Sequence, residues 1–106
     1  MRLTHATVAV AMELMAKPQS EHWGYEILKA SGLGTGSAYT ILQRFVDEGI
    51  LEDTWEDPAI AESEKRPPRR LYRLTPTGAV QLGALLRRAQ SEQRFTLGAT
   101  KWALGT

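Results

Sequence analysis

Between Ile50 and Leu74 the chain abandons the apolar spacing that it keeps on either side. Before this stretch hydrophobic residues recur every three or four positions, the period of a helix. Inside it they roughly alternate, the period of a strand, and after it the helical spacing returns. A chain of 106 residues has room for one core, so the double switch leaves few architectures. It predicts three helices, a β-hairpin and a last helix, a mainly α fold of the α+β class.

The first helix is expected from about Thr4 to Ala16, with Thr4 as its cap and Val8, Ala11, Met12 and Met15 on one face. Val10 and Leu14 widen the apolar surface until little of the circumference is polar. Such a helix needs cover on more than one side, and a second subunit is expected to supply part of it. Pro18 ends the helix. The second helix is expected over Trp23 to Ala30, with Ser20 as a candidate cap, Trp23, Ile27 and Leu28 inward, and Gly32 as a left-handed C-cap. Leu33-Gly34 then leads to Thr35, read as the cap of a third helix that runs to about Glu48. Ala38, Ile41, Leu42 and Phe45 form its inner face and Gly49 its C-cap. Two helices joined by a tight glycine-containing turn make a helix-turn-helix.

Ile50–Trp55 and Arg69–Leu74 read as two strands, the second with Leu71 and Arg73 facing opposite to Tyr72 and Leu74. Between them Asp57 to Pro68 reads as a long polar loop broken by Pro58, Pro67 and Pro68. Thr75-Pro76, a capping hydroxyl followed by proline at the first helical position, opens a helix with Leu82, Leu85, Leu86 and Ala89 on one face. Phe95, Ala99 and Trp102 mark a second, rotated stripe, where Gly98 argues against an unbroken helix. The expected organisation is a winged helix-turn-helix over residues 1–76 and a C-terminal dimerisation helix and tail over 77–106.

The net charge is only +1, but it is unevenly spread. Residues 1–57 hold four Lys/Arg against nine Asp/Glu, and residues 58–106 hold nine against three. That asymmetry points to a local polyanion contact. The third helix presents Gly36, Ser37, Tyr39, Thr40, Gln43 and Arg44 at its exposed start, the end that enters the major groove in a helix-turn-helix. Ser37 and Tyr39 suit phosphate oxygens, Gln43 suits adenine, and Arg44 suits guanine or a phosphate. Lys65, Arg66, Arg69 and Arg70 are four cations in six positions on the wing, placed for phosphates or a minor groove. The acidic residues Glu52, Asp53, Glu56 and Asp57 read as a solvated edge that keeps DNA from one side.

Other chemistries find little support. With no cysteine there is no disulfide framework and no thiolate ligand, which fits a reducing cytoplasm. His5 and His22 lie far apart without ligand-like neighbours, so no metal is expected. No glycine-rich loop follows a strand as a nucleotide site requires, so no cofactor is expected either. No nucleophile–base set is apparent, and an enzyme is the least expected reading. No apolar run reaches the roughly 18 residues of a membrane span, and Val8–Met15, interrupted by Glu13, does not read as a secretory signal.

Gly24-Tyr25-Glu26-Ile27, Gly36-Ser37-Ala38-Tyr39, Leu42-Gln43-Arg44-Phe45 and Glu48-Gly49-Ile50-Leu51 together resemble the PadR family of bacterial transcriptional regulators. So does Arg66-Pro67-Pro68-Arg69-Arg70 followed by Leu71 through Gly78. The resemblance covers about Leu3 to Leu86, and the short C-terminal part matches the compact subgroup with a single terminal helix. It implies a homodimeric repressor of inverted-repeat operators in double-stranded DNA. It also implies a dimer contact through the first and last helices, here Val8, Met12 and Met15 with Leu82, Leu85, Leu86, Ala89 and Phe95. A small hydrophobic or aromatic effector that releases the DNA is a further implication, with Trp102 either packing the dimer or lining a pocket. Thr40 stands where many relatives carry proline, a departure that bears on groove entry. The alternative function is a winged-helix protein-interaction module without DNA binding.

Overall fold

The Thr4 hydroxyl starts the first helix by accepting from the Thr7 N–H, 3.0 Å away. It also donates to the Thr7 hydroxyl at 2.9 Å, so Thr7 is buried with its polar atom satisfied. In this computed structural model, which describes residues 3–92 and Phe95, the elements run α1 (His5–Ala16), β1 (His22–Trp23), α2 (Gly24–Ser31), α3 (Thr35–Asp47), β2 (Leu51–Trp55), α4 (Pro58–Ser63), β3 (Arg70–Leu74) and α5 (Pro76–Gln90). The predicted order of three helices, hairpin and last helix is observed, with two additions, β1 and α4.

Burial of Thr7 rotates α1 by one residue from the expected face. The buried stripe is Thr7, Val10, Ala11 and Leu14, flanked by Val8, while Met12 and Met15 are only half-buried. Helix α2 ends as predicted at Gly32, in the left-handed region at φ 73°. Its N-cap is Trp23, and neither Trp23 nor Ser20 caps it through a side chain. Helix α3 buries Ala38, Ile41, Leu42 and Phe45 as expected, but Gly34 is its N-cap and Thr35 already lies inside. At its other end Gly49 adopts φ 74°. The Gly49 N–H reaches Val46 O at 3.1 Å and the Ile50 N–H reaches Phe45 O at 2.9 Å, so the last carbonyls are satisfied and the chain turns directly into β2.

Strand β3 lies in the middle of a three-stranded antiparallel sheet of order β1-β3-β2. Its register pairs His22 with Tyr72 on one side, and Leu51 with Leu74 and Trp55 with Arg70 on the other. Tyr72 and Leu74 point into the core and Arg73 to solvent, as alternation predicts. The expected loop is interrupted by α4, which is capped by Asp57 through the Ala59 N–H at 2.9 Å and begins with Pro58. Helix α5 starts as predicted: the Thr75 hydroxyl accepts from the Gly78 N–H at 2.8 Å.

The same Thr75 hydroxyl donates to Gly49 O at 2.7 Å, and the Thr75 N–H donates to Ile50 O at 3.0 Å. Gly78 then approaches Ile50 so closely that a Cβ on it would lie 2.0 Å from the Ile50 carbonyl oxygen. These contacts fix the root of α5 on the base of the wing. Further along, α5 packs against α1, and one apolar core runs from Leu3 through Val10, Leu14, Phe45 and Leu86 to Phe95. Val8, Leu82, Leu85, Leu86, Ala89 and Phe95, expected at a subunit contact, are therefore covered within a single chain. Met12 and Met15 stay half-exposed at the margin. Ala99 and Trp102 lie outside the described residues.

Candidate nucleic-acid interface

Helix α3 is divided lengthwise. Its inner residues are locked into the core, while Gly36, Ser37, Tyr39, Thr40, Gln43 and Arg44 are all exposed. No side chain caps its N-terminus, so its first amides are left for an outside acceptor. Gly36, Ser37, Thr40 and Arg44 border a depression of about 380 Å³ that reaches Thr4 and Thr7 of α1. Tyr39, Thr40, Gln43, Arg44 and Asp47 line a second, of about 540 Å³. The wing meets this face directly. Trp23, Gly24 and Tyr39 share a pocket of about 330 Å³ with Arg66, Pro67, Pro68, Arg69 and Arg70. Of the sequence-predicted residues, Tyr39 of the helix and Arg66, Arg69 and Arg70 of the wing are thus brought side by side.

Two of the four wing cations are ion-paired within the chain. Arg66 makes a two-pronged bond to Glu56, at 2.5 and 3.0 Å, and a second pair with Glu64. Arg70 bonds Asp53 through Nε at 2.9 Å and again through Nη2. Arg69 lays its guanidinium 3.9 Å from the centre of the Trp23 ring, and its Nε is buried without a hydrogen-bond partner. Lys65 is exposed in the left-handed region at φ 56°. Among the described residues, Lys65 and Arg69 of the wing and Arg44 of α3 therefore make no ion pair.

The acidic edge is correspondingly not a plain solvated run. Asp53 holds Arg70, Glu56 holds Arg66 and Asp57 caps α4, leaving Glu52 exposed. The Arg66 hydrogen bonds pull the Glu56 carboxyl below its ordinary value. Partial burial opposes the shift, and the Arg69 backbone N–H adds to it. Cross-strand register explains the Asp53 pair: Asp53 lies opposite Tyr72, and Arg70 is its diagonal neighbour on the same face. That register cannot be read from composition.

A further contact was not anticipated. The Gln43 amide nitrogen donates to Asp47 at 2.9 Å, one turn along α3, and its carbonyl accepts from Arg70 Nη2 at 3.4 Å. A residue of the third helix and a residue of the wing are joined by this bond.

A helix-turn-helix whose second helix exposes a polar start, followed by a hairpin that lays cations beside it, defines a winged-helix protein. The chain belongs to the transcriptional regulator PadR-like family, whose model matches residues 12–84. Solved structures agree. Pex from Synechococcus sp. (strain PCC 7942) (Anacystis nidulans R2) is similar with a TM-score of 0.58 and 26% identity, over 85% of each chain. The circadian clock associated protein Pex from Anabaena shares the fold with a TM-score of 0.60 and 23% identity, over 80% of this chain and 76% of that one. No curated protein sequence matches the chain. Among the described residues, no helix is long and apolar enough to cross a membrane and no cluster of metal-ligating side chains is present.

Proposed function

We propose that this protein binds double-stranded DNA sequence-specifically as a homodimer and represses transcription from inverted-repeat operators. The observation that carries the reading is the two-sided α3: six polar or small residues exposed on the outer side, with Arg69 of the wing beside one of them, Tyr39. In this reading Gly36, Ser37 and Tyr39 approach the phosphates and Thr40, Gln43 and Arg44 face base edges. Lys65 and Arg69 track the backbone beside the groove.

Residues 1–76 act as the DNA-binding unit, and 77–106 with α1 supply the subunit contact. Since α5 already buries its leucines against α1, the contact draws on the margin, with Met12 and Met15, and on the tail. A cytoplasmic location and release by a small hydrophobic effector complete the proposal.

Selection of bound duplexes from a random pool, followed by gel shift at several salt concentrations, tests it. An enriched, two-fold symmetric motif with half-sites about one helical turn apart, or a multiple, is expected. Absence of any retained duplex at low salt, with a monomer in sedimentation, ends the proposal. Trp23 and Trp55 emission, titrated with planar aromatics, tests the effector.

A further inference from the structure

We infer that Arg70, Asp53 and Asp47 are positioning residues that hold the Gln43 side-chain amide in one orientation and thereby set its base preference; the inference rests on the DNA-binding reading above. Three neighbours fix the amide. Asp47 takes one N–H at 2.9 Å, Arg70 offers an Nη2 N–H to the carbonyl at 3.4 Å, and Asp53 holds that guanidinium through Nε at 2.9 Å and through the same Nη2. Flipping the amide would set its NH₂ against a guanidinium and its carbonyl against a carboxylate, so the arrangement admits one orientation.

An amide has two N–H donors and two carbonyl lone pairs. The internal bonds use one of each, leaving one donor and one acceptor on the exposed Gln43 side chain. Adenine presents a matching acceptor, N7, beside a matching donor, the N6 amino group, in the major groove. Guanine presents two acceptors there, N7 and O6, and a carbonyl that cannot turn away meets O6 unfavourably. The network thus converts an adaptable side chain into an adenine-selective one. It also gives Arg70 a role distinct from phosphate neutralisation, since its charge is already matched by Asp53.

The decisive variant is Asp53→Asn. It removes a negative charge beside the DNA face and releases Arg70, so affinity for unrelated duplexes should rise about two- to fivefold. At the same time, the adenine preference at the Gln43-dependent position should fall about three- to tenfold, the effect of losing an orienting hydrogen bond. A purely electrostatic or structural role for Asp53 would not move these two readouts in opposite senses. Gln43→Ala identifies the position, and combining it with Asp53→Asn should add no further loss of preference. Arg70→Lys, which can reach one partner but not both, should lose preference in the same direction and serves if Asp53→Asn fails to fold. If the wild type selects a motif but its preference at every position survives both Asp53→Asn and Arg70→Lys, the inference is overturned while the DNA-binding reading stands. If the wild type selects nothing, the DNA-binding reading itself falls.

Discussion

Placing alanine at position 78 or at position 83 makes the same chemical change in the same helix, yet the two substitutions should move stability in opposite directions. Both glycines are buried on α5. A Cβ at Gly83 would meet Arg87 Nη1 at 3.5 Å and the Met15 methyl at 3.8 Å, ordinary contact distances. There the helix propensity of alanine acts nearly alone, and Gly83→Ala should stabilise by about 0.5–1 kcal/mol. A Cβ at Gly78 would lie 2.0 Å from Ile50 O and 2.7 Å from Ile50 C and Cα, all backbone. Relief requires about 1 Å or more of main-chain movement. It would also disturb the Thr75 bonds to Gly49 O and Ile50 O, at 2.7 and 3.0 Å. Overpacking costs about 1–3 kcal/mol and a disturbed hydrogen bond about 1 kcal/mol more. After the propensity gain, reduced in a first turn, Gly78→Ala should destabilise by about 2–3 kcal/mol. Urea denaturation followed by circular dichroism measures both, with the m-value checked for constancy. Stabilisation of Gly78→Ala by as much as Gly83→Ala would refute the claim that α5 is seated on the Ile50 carbonyl.

Glu56 has a folded pKa below its ordinary value of 4.5, so its clamp on Arg66 is complete above that value and is lost as pH falls through the lower folded one. Trp55, next in sequence and 67% exposed, should report this as an emission change confined to acid pH and absent in Glu56→Gln; a step near neutrality would contradict the assignment. Arg44, Lys65 and Arg69, which make no ion pair among the described residues, predict a log–log salt slope of about −2 to −3 per subunit. Lys65→Ala should flatten that slope by about 1 and leave base preference unchanged, as read by fluorescence anisotropy on two unrelated duplexes. Leu14→Ala, at a position with 0% exposure, should cost about 2–5 kcal/mol in the same denaturation assay, and a loss below 1 kcal/mol would argue against the rotated face of α1.

Most of the architecture was legible because its signals are local. Thr75-Pro76 announces α5 by itself, and the spacing of Ala38, Ile41, Leu42 and Phe45 defines the inner side of α3 and hence the outer one. Asp57-Pro58 is the same kind of signal, and it does open α4. It was masked because only six residues follow, in a segment crowded with breakers. The face of α1 was misplaced by one residue because periodicity counts threonine as polar. Here Thr4 satisfies the Thr7 hydroxyl and lets it be buried. Strand β1 has two residues and owes its existence to a vacant edge of β3, a tertiary fact with no sequence signature.

The wing pairs were illegible for the same reason. Glu56 with Arg66 and Asp53 with Arg70 lie 10 and 17 residues apart; the register of β2 on β3 brings the second pair together, and the return of the chain after α4 the first. Counting charges cannot show that Arg66 and Arg70 have carboxylate partners within the chain.

The seating of α5 on Ile50 carries one more consequence. A carbonyl oxygen pressed where a methyl cannot fit leaves little slack between the first turn of the last helix and the base of the hairpin. The cost of any substitution that enlarges position 78 therefore falls on the hairpin as well as on the helix.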